Sequence, residues 1–385
     1  MKILHLYKDY SPILGGIENH IKTLAELEVQ AGHHVTVLVT NPSTSNLQLP
    51  LRAGPARLPS HETMNGVHLI RIWRLATVAS APLTGGFLTE LPRLKPDITH
   101  LHFPYPVGEV SVWLSQLIAG KRPYIITYHS DVVRQQTILR FYRPLMEHIL
   151  RGAARILPTS DRYMASSPTL SQFTDRCTVV PLCVDPEPFA NAAPLIPPTN
   201  IPTLVFIGRH RYYKGLDTLI RAMPNLVTQQ GLRPRLLVGG DGPMRETWER
   251  LAGELGVSAR VQFLGEVSDD DLPRFFASGD VFVLPANSRA EAFGKVLLEA
   301  MATGLPCVTT ELGTGTSFAV QDGVTGFVVP PENPDALGQA IGRLLDDTEL
   351  RKRMGAAGRA RVRREFTAER LLERVEGVYR DVLQI

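Results

Sequence analysis

The segment from Glu291 to Glu299 carries two carboxylates eight positions apart, on either side of a predicted helix start. An apolar strand pattern ends at Pro285, and a helical pattern of apolar residues then runs to Gly304. The first amides of a helix lack partners within the helix and attract anions or electron-rich oxygens. The residues at this helix start are Phe293, Gly294, Lys295 and Val296. The pattern indicates a site for an anionic, hydroxyl-rich ligand.

The two carboxylates suit hydroxyl groups, because a diol offers two donors to one carboxylate. With a nucleotide-sugar across this helix end, Glu291 would reach a sugar hydroxyl and Glu299 a ribose diol. The alternative is that Glu291 only caps the helix and Glu299 is solvated. The spacing alone leaves both interpretations open.

A second candidate site lies between Gly208 and Gly215. Arg209 follows an apolar strand pattern, and Lys214 stands at the start of the next helical pattern. Two cations at the carboxyl end of a strand suit a diphosphate and the negative charge that it gains on leaving. Surface basicity beside a turn is the alternative.

Gly15 and Gly16 stand between the first strand pattern and the first helical pattern. Without side chains they permit a phosphate to approach the backbone. They lack the G-x-G-x-x-G spacing of a dinucleotide site, which argues against a nicotinamide dehydrogenase. An ordinary turn is the alternative.

His129 follows the apolar strand pattern of residues 124–128, and Asp131 lies two residues further on. A histidine at the end of a strand can hydrogen-bond a sugar hydroxyl, although a structural histidine is the alternative. The pair His100-x-His102 has no third ligand at a metal-like spacing, so we predict no metal site.

Strand and helix patterns alternate along two stretches of the chain. The predicted strands are 2–7, 35–39, 68–72, 98–102, 124–128, 155–157 and 178–181, then 203–207, 235–238, 261–264, 281–284, 307–309 and 327–329. This alternation predicts an α/β fold with parallel sheets covered by helices. We expect one domain over 1–185, a proline-rich linker over 186–202, a second domain over 203–365 and a final helix over 366–385.

Composition narrows the class of protein. Of 385 residues, 44% are hydrophobic and 21% are charged, which is ordinary for a globular protein and excludes disorder, collagen and coiled coil. No run approaches the roughly 18 uncharged apolar residues of a membrane span. Three cysteines form no disulfide framework, so we expect a reducing, cytoplasmic setting.

The first 189 residues are mildly basic, with 18 Lys and Arg against 14 Asp and Glu. Six arginines lie close together in this half: Arg134, Arg140, Arg143, Arg151, Arg155 and Arg162. Such an excess can serve anionic lipid surfaces or phosphorylated substrates, and a solvated helix face is the alternative. The pattern lacks the interleaved aromatics of a nucleic-acid stripe, so no nucleic-acid partner is predicted.

Taken in chain order, these segments resemble the retaining group 1 glycosyltransferases of the GT-B architecture. The matching segments are Gly15-Gly16 with Glu18, Tyr128 to Asp131, Pro181 to Phe189, Gly208-Arg209 with Lys214-Gly215, Gly239 to Pro243, Phe263 to Val267, Glu291 to Glu299, and Gly323 to Pro331. The resemblance implies two Rossmann-like domains that face each other across a cleft. It also implies a last helix that crosses back to the N-terminal domain.

In the second domain the resemblance implies the donor site. Arg209 and Lys214 would hold the diphosphate, Glu291 would bind the donor sugar, and Glu299 would bind the ribose. The base pocket would be lined by Gly265, Glu266 and Val267. Backbone amides would come from Phe293, Gly294, Lys295 and Val296.

In the first domain the resemblance implies contacts with the transferred sugar. Gly15 and Gly16 would approach the donor through the backbone. His129 would touch the sugar near the reacting carbon, and Asp131 would bind substrate beside it. The family usually needs no divalent metal, and no cofactor is predicted.

The donor follows from a closer resemblance. The segments from Arg211 to Gly215 and from Gly313 to Ser317 resemble members that add mannose from GDP-mannose to polyprenyl-diphosphate glycans. UDP-glucose, UDP-galactose and UDP-GlcNAc remain alternatives. A glycan or lipid-linked acceptor implies peripheral contact with the inner face of the cytoplasmic membrane.

The reaction implied is hexosyl transfer with retention at the anomeric carbon. No carboxylate is obviously placed as a covalent nucleophile, which favours front-face attack assisted by the leaving phosphate. Two competing functions use the same fold. A hydrolysing epimerase would convert a UDP-sugar alone, and a non-catalytic sensor would keep Arg209 and Lys214 but tolerate loss of His129 and Glu291.

Overall fold

The computed structural model describes residues 1–13, 15–41, 59–78, 81–132, 136–229, 231 and 233–385. Of the six clustered arginines, Arg134 lies outside these residues. The chain divides into two compact units. The first contains residues 1–159, 167–181 and 368–385, and the second contains residues 160–166 and 182–367. Among the described residues, no helix is both long enough and apolar enough to span a bilayer.

The first unit is built on a seven-stranded sheet with the order β3-β4-β2-β1-β7-β8-β9. The strands of this unit are β1 (Lys2–Leu6), β2 (His34–Thr40), β3 (Ser60–Met64), β4 (Val67–Ile72), β5 (Ala76–Val78), β6 (Ala81–Leu83), β7 (Ile98–Phe103), β8 (Tyr124–Tyr128) and β9 (Arg155–Pro158). Its helices are α1 (Gly16–Gln30), α2 (Gly86–Leu94), α3 (Pro106–Ala119), α4 (Gln136–Gly152) and α14 (Ala368–Leu383). The pairs in this sheet are parallel except that of β3 with β4.

The second unit is built on a six-stranded sheet with the order β12-β11-β10-β13-β14-β15. Its strands are β10 (Thr203–Ile207), β11 (Arg235–Gly239), β12 (Val261–Gly265), β13 (Val281–Leu284), β14 (Cys307–Thr310) and β15 (Gly326–Val329). Its helices are α5 (Asp161–Ser166), α6 (Glu187–Ala190), α7 (Leu216–Ala222), α8 (Arg245–Glu254), α9 (Leu272–Ala277), α10 (Lys295–Thr303), α11 (Gly315–Ala319), α12 (Pro334–Asp346) and α13 (Thr348–Glu365). The strand pairs of this sheet are parallel.

Apolar runs form the central strands because helices cover both faces of a parallel sheet. Every residue of β10 and β13 is buried, and these two strands are neighbours in the core of the second unit. The prediction of two parallel-sheet α/β units is confirmed.

The C-terminal helix α14 belongs to the first unit. It buries Leu371, Val375 and Tyr379, and the Tyr379 hydroxyl donates a hydrogen bond to Glu28 on α1. This is the return of the last helix that the resemblance implied. The unit boundaries differ from the sequence-based ones at three places. The N-terminal part of the first unit ends at residue 181 rather than 185, residues 160–166 belong to the second unit, and residues 366 and 367 belong to the second unit rather than to the final helix.

The predicted proline-rich linker over 186–202 is packed within the second unit. Phe189 lies against Phe276, and the amide of Leu195 donates to the carbonyl of Arg274. This packing satisfies the backbone of a segment that proline prevents from joining a sheet.

The predicted strand over 178–181 is wrong. The amides of Thr178 and Val180 donate to the carbonyls of Ile156 and Pro158 on β9, but only an isolated bridge between Ile156 and Cys177 forms. Pro158 has no amide hydrogen to return, so a ladder cannot continue. The sequence patterns also missed β3 and the hairpin of β5 and β6, because these strands are polar or very short.

Candidate active site

The candidate residues of the second unit follow the carboxyl ends of its parallel strands. The loop after β10 carries Arg209 and Lys214, and the loop after β13 carries Glu291. In the sheet order, β11 and β12 lie on one side of β10, and β13 to β15 lie on the other. The chain therefore leaves β10 and β13 in opposite directions, which opens a crevice at the point where open α/β sheets bind ligands.

Lys214 and Glu291 form a buried ion pair at this crevice. The distance between Lys214 Nζ and Glu291 Oε2 is 2.6 Å, and both residues are about nine-tenths buried. Burial alone would lower the pKa of Lys214, but the attraction of Glu291, helped by Tyr213 and Glu299, raises the pKa above its ordinary value. The ammonium group is thus held charged, beside two carboxylates, in a place from which water is largely excluded.

Glycines fix the backbone that carries this pair. Gly215 has φ +65°, and a Cβ there would lie 2.0 Å from the carbonyl oxygen of Pro285, at the end of β13. A side chain at this position would push the two loops apart. The close approach of the loops after β10 and β13 therefore depends on glycine at position 215.

The helix start predicted near Gly294 is present. Gly294 precedes α10 with φ +77°, and a Cβ there would lie 3.0 Å from side-chain atoms of Leu284 and Leu297. Glu291 does not cap the helix and Glu299 is not solvated, so neither of the alternative interpretations of these glutamates holds. The residue at the helix cap is Gly294, without a side-chain cap from Glu291, and Glu299 is 6% exposed and pairs with Lys295 at 3.3 Å.

The side chains around the start of α10 have different surroundings. The ring of Phe293 is buried against Phe318 and Phe366, so only its backbone is available to a ligand. Lys295 and Val296 are half-buried. The structure thus brings Lys214, Glu291 and the start of α10 together.

Arg209 and the predicted base pocket also lie along this sheet edge. Arg209 is exposed, one residue beyond Gly208. Gly265 ends β12 with φ +76° and accepts a hydrogen bond from the amide of Gly240. Glu266 is exposed and Val267 is half-buried.

His129 in the first unit lies beyond β8 and is 6% exposed. Its Nε2 is 3.2 Å from His102 Nδ1 on β7. Burial, followed by the charge of His20, lowers the pKa of His129 well below its ordinary value. Asp131 Oδ1 accepts hydrogen bonds from Tyr128 and Ser167, which anchor this carboxylate within the unit.

Gly15 and Gly16 have different reasons to be glycine. A Cβ on Gly15 would lie 2.1 Å from Glu18 Oε2, so the Glu18 carboxyl group folds over this residue at the start of α1. A Cβ on Gly16 would meet no atom within 4 Å, and Gly16 is exposed. A side chain at position 15 would therefore require the flexible Glu18 side chain to move, whereas position 16 is open.

A cluster of buried histidines was missed by the sequence patterns. Two overlapping groups of three have ring nitrogens within 4.8 Å of one another: His5, His100 and His102, and His20, His102 and His129. The fold therefore supplies the third ligand that the spacing around His100 and His102 did not reveal. The signal was the parallel pairing of β1 with β7, which sets His5 beside His100.

Hydrogen bonds engage three of these five histidines fully. Both ring nitrogens of His5, His100 and His102 lie within hydrogen-bond distance of polar groups. Those groups are Glu28, Thr127, His129 and Tyr379, and for His5 and His102 each other. The absence of a metal stays a prediction.

Two family descriptions match the chain. "Glycosyl transferases group 1" matches residues 190–361, and "Glycosyltransferase Family 4" matches residues 14–188. The chain is 31% identical to the O-antigen chain mannosyltransferase C of Escherichia coli, over 100% of this chain and 99% of that one. It is 33% identical to a D-rhamnosyltransferase of Pseudomonas aeruginosa, over 96% and 93%.

Solved structures share the fold. A sucrose-phosphate synthase of Thermosynechococcus elongatus aligns with a TM-score of 0.78 at 23% identity, and 99% of each chain is covered. An Anabaena protein solved with UDP and glucose aligns with a TM-score of 0.74 at 18% identity, over 99% and 100% of the two chains. The predicted GT-B fold and the predicted class of enzyme, a hexosyltransferase, are confirmed. On these sequence matches, the chain belongs to the group 1 glycosyl transferases.

Proposed function

We propose that this enzyme transfers mannose from GDP-mannose, with retention of the anomeric configuration, to a glycan carried on a polyprenyl diphosphate. The observation that carries the proposal is the buried Lys214–Glu291 pair at the crevice between β10 and β13. The sugar is supported by two relatives that are named mannosyltransferases. These are the Escherichia coli enzyme above and a phosphatidyl-myo-inositol mannosyltransferase of Mycobacterium tuberculosis, 30% identical over 91% of this chain and 89% of that one.

On the donor side, the charged groups act on the departing diphosphate. Lys214 and Arg209 offset the negative charge that grows as the bond to the sugar breaks, and the amides at the start of α10 add to this effect. Glu291 holds Lys214 through Oε2, while Oε1 receives no hydrogen bond from the described residues and suits a sugar hydroxyl. Glu299, buried one turn further along α10, suits the ribose diol.

On the sugar side, His129 accepts a hydrogen bond from a hydroxyl of the transferred mannose. Its Nε2 is engaged by His102, so Nδ1 is the nitrogen that serves the ligand. The acceptor hydroxyl attacks from the face that the diphosphate leaves, and the departing phosphate takes its proton. Retention of configuration follows from this front-face course.

A second candidate donor is GDP-D-rhamnose, which is GDP-6-deoxymannose. The relative from Pseudomonas aeruginosa is named a D-rhamnosyltransferase and is as similar as the mannosyltransferases. The two sugars differ only in the hydroxyl at C6. Discrimination between them therefore depends on whether the site hydrogen-bonds that hydroxyl.

An acceptor on a lipid carrier requires contact with a membrane face. Helix α4 exposes Phe141, which is 82% accessible, together with Arg140 and Arg143. An exposed aromatic ring among arginines suits insertion at the headgroup level of an anionic bilayer. We include peripheral binding through this face of α4 in the proposal.

The test offers the purified enzyme four donors with a synthetic mannose-terminated polyprenyl-diphosphate glycan. The donors are GDP-mannose, GDP-D-rhamnose, UDP-glucose and UDP-GlcNAc, and products are read by mass spectrometry and anomeric NMR. We expect one α-linked mannose per acceptor. Transfer from a UDP-sugar, an inverted linkage, or conversion of a UDP-sugar without acceptor would each reject the proposal.

A further inference from the structure

Four side chains of the first unit form a continuous hydrogen-bonded row that ends at His129. Glu28 Oε2 is 2.6 Å from His5 Nε2, and His5 Nδ1 is 3.1 Å from His102 Nε2. His102 Nδ1 is 3.2 Å from His129 Nε2. Glu28 and His5 are fully buried, and His102 is 1% exposed. The row therefore runs from the interior of the unit to the candidate sugar-binding histidine.

The charge at one end fixes the direction of every hydrogen bond in the row. A carboxylate only accepts hydrogen bonds, so His5 must donate from Nε2 to Glu28. The proposal takes His5 as a neutral imidazole, which has one donor and one acceptor nitrogen, so Nδ1 of His5 accepts from His102. By the same rule, Nδ1 of His102 accepts from Nε2–H of His129. Nδ1 of His129 is then left with a lone pair.

A second branch engages the other oxygen of Glu28. The Tyr379 hydroxyl donates to Glu28 Oε1 at 2.9 Å, so it accepts from His100 Nδ1 at 2.7 Å. His100 Nε2 then accepts from the Thr127 hydroxyl at 2.6 Å. With Glu28 as a carboxylate, every donor in the network meets an acceptor.

The neutral state of the rings has a physical cause. Burial, followed by the charges of neighbouring histidines, holds the pKa of His100, His102 and His129 well below the ordinary value. Rings that are neutral near pH 7 must share one proton between two nitrogens. His100, His102 and His129 therefore each carry one ring proton at neutral pH, as the hydrogen-bond directions above require.

We propose that Glu28 is a positioning residue that sets the tautomer of His129 through His5 and His102. The inference rests on the proposed contact between His129 and the transferred sugar, which it deepens. It assigns Nδ1 of His129 as an acceptor of a hydrogen bond from a donor-sugar hydroxyl. Glu28 touches neither substrate nor reacting atoms.

This tautomer matters because glycosyl transfer passes through an oxocarbenium-like state with positive charge on the sugar. A lone pair that draws on a sugar hydroxyl makes its oxygen more electron-rich and stabilises that charge. An N–H pointing at the same hydroxyl would do the opposite. In the Ser-His-Asp triad of serine proteases, a buried carboxylate likewise holds a neutral imidazole in one tautomer.

The first test reads the tautomers directly on the unmodified full-length protein. Nitrogen-15 NMR of labelled histidine distinguishes protonated from unprotonated ring nitrogens, and each signal is assigned by replacing its histidine with asparagine. We expect His5, His102 and His129 to carry hydrogen on Nε2, and His100 on Nδ1. Hydrogen on Nδ1 of His5, His102 or His129, a doubly protonated ring, or a bound metal found by elemental analysis would overturn the inference. This readout does not depend on the enzyme's substrate.

The second test uses the nearly isosteric change Glu28→Gln. The amide can donate to His5, which reverses the row and places hydrogen on Nδ1 of His129. We expect kcat to fall about tenfold to a hundredfold with little change in the donor KM. The matched control is Glu26→Gln on the same helix, because Glu26 pairs with Lys22 and Asn65 outside the row. This control should keep its kcat and its tautomers.

A double-mutant cycle separates positioning from general damage. In a His129→Asn background, Glu28→Gln should change kcat by less than twofold, because the group through which it acts is gone. An equal loss in both backgrounds would reject the positioning role. If His129→Asn alone left kcat unchanged, the proposed sugar contact would fail, while the NMR result would still decide whether Glu28 sets the tautomer.

Discussion

Both units place their candidate residues at the same kind of position in the α/β fold, but the side chains at these positions differ in charge. In each, the candidate residues lie where the chain leaves neighbouring strands in opposite directions, between β1 and β7 in the first unit and between β10 and β13 in the second. The first unit fills this place with the buried imidazoles around His102. The second fills it with the charged pair Lys214–Glu291.

Burial disfavours charge in both regions, and the neighbouring groups decide whether each side chain stays charged. Burial lowers the pKa of His102, and the neighbouring rings lower it further, so charge is disfavoured. Burial would also lower the pKa of Lys214, yet the carboxylate of Glu291 outweighs it, so charge is kept. This difference agrees with the proposed roles, in which a cation would face the departing diphosphate and uncharged rings would face the sugar.

The largest expected loss of activity follows a substitution in the Lys214–Glu291 pair. Glu291→Gln should lower kcat/KM by about 1,000-fold, because it removes a sugar contact and leaves Lys214 without its counter-ion. Steady-state kinetics measures the loss, with the exposed Glu249→Gln on α8 as control. Turnover near that of the unaltered enzyme would refute the assigned role.

A substitution in the histidine cluster of the first unit should lower activity less. We expect His129→Asn to lower kcat by about a hundredfold, since one hydrogen bond to the transferred sugar is lost while the diphosphate site is intact. The same kinetics should give a donor KM within about threefold of normal. A large rise in KM with normal kcat would mean that His129 contributes only to ground-state binding.

Alanine substitutions at the starts of α10 and α1 should differ in their effect on stability. Gly294→Ala should destabilise the second unit by about 1–3 kcal/mol, because φ +77° is unfavourable for alanine and Leu284 and Leu297 lie 3.0 Å from the new Cβ. Gly16→Ala at the start of α1 meets no atom within 4 Å and should leave stability unchanged. Urea unfolding followed by hydrogen exchange reads the two units separately. Equal stability losses in both variants would contradict the assignment.

The smallest effect is a pH dependence that is strongest in the first unit. Four histidines of this unit have a lowered pKa: His68, His100, His102 and His129. Below pH 6.5 these histidines bind protons in the unfolded chain but stay neutral in the folded one. The free energy of unfolding should therefore fall as the pH falls. Glu109 acts in the opposite sense, since burial raises its pKa to about 7, and Glu18, with a raised pKa, does the same.

Because these histidines outnumber the two carboxyl groups, we expect the free energy of unfolding of the first unit to fall as the pH falls. Hydrogen exchange in urea at pH 7.5, 6.5 and 5.5 should show β7 and β8 losing stability while β10 and β13 change less. Glu109→Gln should steepen the dependence by removing an opposing group. A first unit that gains stability on acidification would contradict this balance.

The sequence predicted the second unit better than the first, for a physical reason. The loops around Lys214 and Glu291 lie next to apolar runs, and the position of a residue just after such a run places it at one edge of a parallel sheet. The histidine row joins residues on α1, β1, β7 and the loop after β8, and Tyr379 reaches it from the far end of the chain. Strand order and register brought these groups together, and local patterns do not encode them.

The boundaries show the same limit. Apolar runs predicted the central strands, but the segment 178–181 failed as a strand because Pro158 on its neighbour cannot donate a hydrogen bond. Whether Glu291 caps the helix and whether Glu299 is solvated could be decided only from their burial and ion pairs, which depend on the whole unit.

In the proposed function, the second unit binds the diphosphate of GDP-mannose through Lys214 and Arg209 and its sugar through Glu291. Isothermal titration of GDP-mannose, UDP-glucose and UDP-GlcNAc into the unaltered enzyme and into Lys214→Ala tests it most directly. We expect GDP-mannose to bind at least tenfold more tightly than either UDP-sugar, and to lose at least a hundredfold in affinity in the variant. Tighter binding of a UDP-sugar, or equal affinity of GDP-mannose for both proteins, would contradict the account.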